Sequence, residues 1–370
     1  MKITRVDALY LRLPTIEART DSSQDALLVR IETDAGVTGW GEVDGCPLVA
    51  KAVIEAPYSH TLVTGLASLL VGEDPLETGR LWNRMYQATL YYGRSGAVIQ
   101  AMAGIDIALW DIKGKALGEP IVKLLGGALR RKMRVYSSNM FQFRLEDTLA
   151  RAKRAIDTGH SAVKFGWEPF GRDEVEDLRT VEAVRRAIGE QNDFMLDVGL
   201  VWDARTALRR ARLFEPYRLF WIEEPLHPDD YAGYAKVSRA ALQPIAAGEE
   251  ECSVVGFERL IDEGGIDIVQ IDLTRAGFTQ AMRIAAYAES RGRKVCNHNF
   301  TTDINTAASL HFLCAIPNAL VMEYCVEPSE ISRHLAKEPV RIADGFAHLP
   351  DAPGLGVEPN MEVIEKYLVR

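Results

Sequence analysis

The sequence predicts an α/β protein in which a barrel of eight βα units follows a smaller α+β segment. Three observations carry this expectation. The chain has 370 residues, more than the roughly 250–300 over which one hydrophobic core normally extends, so it should divide. Its beginning alternates like antiparallel strands, and after Lys132 short apolar runs alternate with amphipathic helical stretches, the pattern of parallel βα units. The ionisable residues of those runs also recur at nearly one unit's spacing.

In order along the chain, Ile3 to Leu13 alternates, and residues 14–25 (PTIEARTDSSQD) form a polar loop. Ala26 to Thr33 reads as a second strand, Asp34-Ala35-Gly36 as a hairpin turn and Val37 to Glu42 as a third strand. From about residue 49 to 117 the period becomes helical. Ser95 to Ala116 is one long apolar-faced helix, stopped by Gly118-Glu119-Pro120, and Leu124-Leu125-Gly126-Gly127 marks a junction. Eight strand-like runs follow, at 133–139, 161–167, 193–199, 219–225, 244–250, 266–273, 294–300 and 319–325. An open doubly wound sheet is the competing arrangement, but eight strands in strict alternation close more naturally into a barrel.

Composition narrows the function classes. Hydrophobic residues make up 47% and charged residues 26%, which excludes a disordered, collagen-like or coiled-coil chain. No run of about 18 apolar residues suggests a membrane span, and the N-terminus MKITRVDALYLRLP lacks the apolar centre of a signal peptide. Lys and Arg number 43 against 52 Asp and Glu, a net charge of −9 with no basic tract. Nucleic acid and anionic membranes are therefore not expected partners. The five cysteines are odd in number and lack metal-ligand spacing, so reduced thiols and a cytoplasmic location are expected. The triplet Asn299-Phe300-Thr301 is read as a chance glycosylation match.

Lys164, Asp197, Glu223, Glu249, Asp272, His298 and Glu323 occupy equivalent places near the ends of seven runs. Their separations are 33, 26, 26, 23, 26 and 25 residues. In a barrel the strand C-termini form one face, and that face carries the active site. Asp197, Glu223 and Glu249, from three successive strands, cannot all stay ionised without a cation between them. An oxygen-only set points to a hard metal, one Mg²⁺ before Zn²⁺. An Asp272 that accepts a proton from one imidazole nitrogen leaves the other nitrogen of His298 aimed as a base. Lys164 would face the metal site from across the barrel, and a protonated Glu323 could hold a substrate oxygen. The other six histidines read as structural. A metal beside a base suits removal of the proton α to a carboxylate, because the metal stabilises the enediolate that results.

These residues, as Ser-Ala-Val-Lys164, Leu-Asp197, Trp-Ile-Glu223-Glu224-Pro, Ala-Gly-Glu249, Gln-Ile-Asp272 and Asn-His298, together with GIDIALWDIKGKALGEPIVKLLGG and PGLGVE, resemble the mandelate racemase group of the enolase superfamily along essentially the whole chain. The resemblance implies a (β/α)7β TIM-type barrel over residues 128–340. It implies an α+β capping domain from residues 1–127, with lid loops near 14–25 and 44–60, and a C-terminal segment, 341–370, returning to that domain. It implies Mg²⁺ held by Asp197, Glu223 and Glu249, a general base made of His298 and Asp272, and carboxylate binding by Lys164 and Glu323. Arg19 would bind substrate from the lid, and the protein would be a homo-oligomer.

Two positions depart from the family pattern. Many members carry Lys-x-Lys on the second barrel strand, but here the run is Lys164-Phe165-Gly166-Trp167, and Gly199 stands where a polar residue often follows the metal aspartate. Racemisation needs a base on each face of the carbanion, and Gly166 offers none. A dehydration can use one group, with His298 removing the C2 proton and returning it to the leaving 3-hydroxyl. Tyr91-Tyr92-Gly93-Arg94 and KFGW resemble the rhamnonate dehydratase-like branch. The expected function is thus Mg²⁺-dependent dehydration of a sugar acid to a 2-keto-3-deoxy acid. The alternatives are a cycloisomerase, lactone-opening enzyme or epimerase acting through the same enediolate, and a non-catalytic carboxylate-binding barrel.

Overall fold

The computed structural model describes residues 1–370 and places two sheets in the chain. The first is a three-stranded antiparallel sheet, β1 (Ile3–Arg12), β2 (Asp25–Thr33) and β3 (Thr38–Val43). Helix Ala97–Leu117 lies against it and ends at Gly118, whose left-handed backbone (φ 70°) closes the last turn. The approach is close because β3 carries glycines: a Cβ on Gly41 would sit 1.9 Å from the Gly104 carbonyl oxygen. The segment after β3 is less open than a lid loop, since Pro47–Glu55 is helical with Pro47 in its first turn.

The second sheet holds all eight of the apolar runs expected to be strands. They are β4 (Lys132–Met140), β5 (Ala162–Gly166), β6 (Asp193–Asp197), β7 (Trp221–Glu223), β8 (Ile245–Ala247), β9 (Ile268–Ile271), β10 (Lys294–Asn297) and β11 (Met322–Cys325). Neighbours pair in parallel from β4 through β10, and β11 pairs with β4. A parallel bridge between Val295 and Ala319 links β10 to the residues just before β11. The short strands β12 (Ile342–Ala343) and β13 (Phe346–His348) add antiparallel to the start of β4. No helix is long and apolar enough to cross a membrane.

Strand alternation explains how this sheet positions chemistry. Tyr136, Ala162, Met195, Trp221, Ala246, Ile268, Cys296 and Val321, one from each βα unit, form a single buried cluster. Residues two further along a strand point to the same side. From Ala162, Met195, Trp221, Cys296 and Val321 that step reaches Lys164, Asp197, Glu223, His298 and Glu323. An apolar layer thus supports a layer of ionisable groups above it.

Buried polar contacts tie the two sheets together. Asp106 on helix Ala97–Leu117 accepts hydrogen bonds from the Thr279 backbone N–H (2.8 Å) and hydroxyl (2.6 Å) on helix Leu273–Ser290, which starts just after Asp272. Asp111 accepts from the backbone N–H groups of Trp40 (3.0 Å) and Leu355 (2.9 Å). The C-terminal residues return to β1, where the Val369 N–H meets the Tyr10 carbonyl oxygen at 2.8 Å.

His311, read from sequence as structural, is fully buried. Its Nδ1 accepts from the Val122 N–H (3.2 Å), and its Nε2 lies 3.0 Å from the Leu355 carbonyl oxygen, which suits the neutral ring. Burial lowers its pKa to about 4. The folded value lies below the unfolded one, so this stability is present above pH ~6.5 and is lost as pH falls toward 4, by roughly 3 kcal/mol in all. The melting-temperature advantage of the wild type over His311→Gln should therefore shrink between pH 7 and about pH 4. A difference independent of pH would show that the ring is not held neutral.

Candidate active site

Asp197 and Glu223 are register partners on β6 and β7, so their side chains rise side by side. Glu249 lies two residues beyond β8, out of phase with the alternation. Gly248 supplies the bend with φ 133°, at a point where a Cβ would lie 2.6 Å from the Gln270 carbonyl oxygen. One ligand atom from each of the three acids lies within 4.8 Å of the others, and all three residues are buried. Burial, together with the Glu223 charge, pushes Asp197 well above the usual carboxylate range. Burial raises Glu249 to about 7 despite the opposing charges of His298 and Lys164. Glu249 Oε2 is buried without a hydrogen-bond partner. A buried orphan oxygen within an all-oxygen cluster fits a hard divalent cation.

Lys164 enters this cluster from β5. Its ammonium contacts Glu223 Oε1 and stands 2.7 Å from Glu323 Oε1 and 3.6 Å from Asp197 Oδ2. Burial alone would lower its pKa, but the carboxylates around it hold it well above its ordinary value. One ammonium among four buried carboxylates, Asp197, Glu223, Glu249 and Glu323, leaves an excess of negative charge that a divalent cation would offset.

Glu323 differs from the protonated group considered from sequence. Burial would raise it, yet the charges of Lys164 and His298 and hydrogen bonds from Lys164 and Ser138 hold its pKa below normal. Its oxygens accept from the Ser138 hydroxyl and the Asn299 N–H, each at 2.7 Å. These donors and charges favour its ionised, accepting form.

His298 follows β10, and its Nδ1 lies 2.6 Å from Asp272 Oδ2. Asp272 caps helix Leu273–Ser290, its Oδ1 accepting from the Thr274 N–H (2.7 Å), the Thr274 hydroxyl (2.5 Å) and Asn305 Nδ2 (3.2 Å). Burial would raise Asp272, but the imidazole hydrogen bond and charge keep it below its ordinary value. The carboxylate is therefore fixed, and it fixes the ring. His298 Nε2 is 3.7 Å from Glu249 Oε2. Burial disfavours the imidazolium, but Glu249, Asp272 and Glu323 together raise His298 to about 10. A cation on Glu249 would weaken the largest of these raising influences and move the ring toward the neutral form that a base requires.

Lys164, Asp197, Glu249 and His298 line a cavity of about 160 Å³. Glu223, Asp272 and Glu323 lie fully buried beneath it. Thr20 and Ser22 of the 14–25 loop reach the same cavity. Arg19 does not line it; it pairs with Asp21 (2.6 Å), Glu17 (3.1 Å) and Glu327 (3.4 Å). The loop is pinned by Ser22, whose hydroxyl donates to the Phe300 carbonyl oxygen at 3.2 Å, and by Ser329, whose hydroxyl donates to that of Ser23 at 2.5 Å.

Sequence reasoning assigned no role to several other lining residues, among them Ser138, Asn139, Trp167, Arg275 and Phe300. Ser138 and Asn139 end the one run whose last residues include no acid, lysine or histidine, so the strand-end rule applied to polar groups generally would have found them. Arg275 lies three residues into the helix that Asp272 caps, the separation that brings helical side chains together. At Gly166, the register partner of Asp197, a Cβ would lie 2.6 Å from Asp197 Oδ2. The missing lysine is therefore also the space in which the aspartate sits.

Two family descriptions match the chain: the mandelate racemase/muconate lactonizing enzyme N-terminal domain over residues 2–126, and the enolase C-terminal domain-like family over residues 147–363. D-galactarolactone cycloisomerase from Agrobacterium fabrum is 32% identical over 99% of both chains. D-galactonate dehydratase from Pectobacterium atrosepticum is 34% identical over 91% of this chain and 90% of its own. The crystal structure of the 3,6-anhydro-D-galactonate cycloisomerase from Zobellia galactanivorans superimposes with a TM-score of 0.92 at 29% identity, over 100% of both chains.

Proposed function

The chain belongs to the mandelate racemase/muconate lactonizing enzyme family of the enolase superfamily, and from that premise we propose that it is a metal-dependent sugar-acid dehydratase. The carrying observation is the His298–Asp272 pair set beside Asp197, Glu223 and Glu249, with Gly166 in place of a second lysine on β5. The eight-stranded parallel sheet is read as the closed (β/α)7β barrel. The Val295–Ala319 bridge and the inner cluster with one residue per unit support that reading. Residues 1–127 are read as the capping domain, 128–340 as the barrel and 341–370 as the returning tail. A homo-oligomer and a cytoplasmic location belong to the same reading, supported by the family resemblance and by five cysteines without a disulfide.

Asp197, Glu223 and Glu249 would hold one Mg²⁺, which supplies positive charge against the substrate carboxylate as negative charge develops there. Lys164 lies beside the same acids and places a second positive charge on that carboxylate. His298 takes the C2 proton through Nε2, while Asp272 stabilises the imidazolium. The same ring then gives the proton to the departing 3-hydroxyl, which leaves as water. On the β4, β5 and β6 side the lining residues are Ser138, Asn139, Met140, Lys164, Gly166, Trp167 and Asp197. Lys164 is the only amine among them, and it is held charged by its carboxylate partners.

The test is turnover of a panel of aldonates with Mg²⁺, read as 2-keto acid. Formation of a 2-keto-3-deoxy acid supports the dehydratase. Two cycloisomerases among the similar proteins favour one second reading, lactone or anhydro-ring opening through the same proton abstraction. In that case lactones or anhydro acids would react while open aldonates would not. Lys164→Met should raise KM and lower kcat yet leave measurable exchange at C2. Loss of exchange in that variant together with its survival in His298→Asn would make Lys164 the base.

A further inference from the structure

The two departures in the sequence, Gly166 and Gly199, meet at Trp167. This residue follows β5 directly and holds φ 64°, a left-handed backbone that an aromatic residue rarely adopts. Gly199 sits against its indole: a Cβ there would lie 2.9 Å from ring atoms Cδ2 and Cε3. The absence of a side chain at 199 is therefore the space the indole fills. Strained aromatic positions persist where the surroundings over-determine them, and they cluster at ligand sites. Trp167, Met140 and Phe300 are the three apolar residues among the fourteen that line the cavity.

The cations of the cavity complete the picture. Lys164 is engaged with Glu223 and Glu323. Arg275, the other lining cation, is already neutralised by a buried acid: Nη2 and Nε lie 3.0 and 3.1 Å from Asp44 Oδ2, and Nη1 lies 2.5 Å from the Glu249 carbonyl oxygen. Glu250 stands 3.8 Å from the same guanidinium. Arg19 is paired outside the cavity. Away from Lys164, His298 and the metal acids, the walls thus offer hydroxyls, an amide, the Met140 side chain, aromatic faces and the Glu250 carboxylate, and no cation without an acidic partner.

We propose that Trp167 is a specificity-determining residue whose indole packs on the C–H face of the substrate chain beyond the reacting carbons, and that with Arg275 held by Asp44 and flanked by Glu250 the site selects monocarboxylic sugar acids over diacids. A second carboxylate at that end would lose hydration beside an aromatic wall and gain no cation in return. This rests on the sugar-acid reading above and adds the substrate class to it.

The experiment uses the His298→Asn variant with saturating Mg²⁺, so that ligands bind without being consumed. Dissociation constants are measured by calorimetry for matched pairs, galactonate with galactarate and gluconate with glucarate. At least one aldonate should bind about tenfold or more tightly than its diacid. Adding Trp167→Ala should weaken that aldonate by about three- to tenfold, the scale of an aromatic contact. Trp167→Phe should restore much of the loss, and Mg²⁺ affinity without sugar should stay unchanged in both. Equal or tighter binding of the diacid overturns the proposal and leaves the sugar-acid reading standing, as does an aldonate affinity indifferent to Trp167→Ala. No binding by any sugar acid overturns both.

Discussion

His298→Asn is expected to remove turnover while leaving the fold intact. The imidazole is the one group in the cavity with both an orienting carboxylate and a free nitrogen, Nδ1 being 2.6 Å from Asp272. Asparagine can still reach toward Asp272 but cannot accept the C2 proton. Deleting a general base costs about 10²–10⁴-fold, and here one group performs both proton steps, so the loss should lie at the upper end or beyond. Steady-state kinetics on the best aldonate, with circular dichroism as the fold control, checks this. A variant retaining a tenth of wild-type kcat would show that another group moves the proton.

Glu223→Gln is expected to lose metal and activity together. Glu223 is fully buried, accepts from Trp221 Nε1 at 2.7 Å, and shares the Lys164 ammonium with Glu323. Glutamine fits the same space but removes one of three anionic donors. Loss of an outer partner of a metal ligand already costs about 10- to 100-fold in affinity, and loss of a charged ligand to a hard cation should exceed that. Mg²⁺ titration by calorimetry, alongside activity, checks it. Full turnover with normal Mg²⁺ dependence would remove the metal assignment.

Much of the site was legible in the sequence because a strand has period two. A residue at the end of each apolar run shares a face with the one two before it, so Ala162 and Lys164, Met195 and Asp197, and Trp221 and Glu223 follow from the pattern alone. Glu249 was found by the same spacing although its phase is broken, because Gly248 turns the chain within one residue. Apart from Ser138 and Asn139 at the end of β4, what escaped lies off the strands. Trp167 depends on a left-handed backbone that its residue type does not announce. Arg275 depends on the first turn of a helix, and Arg19 on which of several nearby acids it meets. The lowered pKa of Glu323 and the raised pKa of His298 depend on distances of 2.7–3.7 Å among buried charges, which spacing along a chain does not specify. The segment 44–60 was read as a lid loop although Pro47–Glu55 is helical.

The central claim is that one residue, His298, starts the reaction. Its most direct test is exchange of the substrate α-proton in D₂O with Mg²⁺, followed by NMR for the wild type, His298→Asn and Lys164→Met. The expected result is exchange or turnover in the wild type, none in His298→Asn and a reduced but measurable rate in Lys164→Met. Exchange that survives in His298→Asn and vanishes in Lys164→Met would contradict the account, make Lys164 the base, and favour the epimerase or cycloisomerase reading over a one-base dehydration.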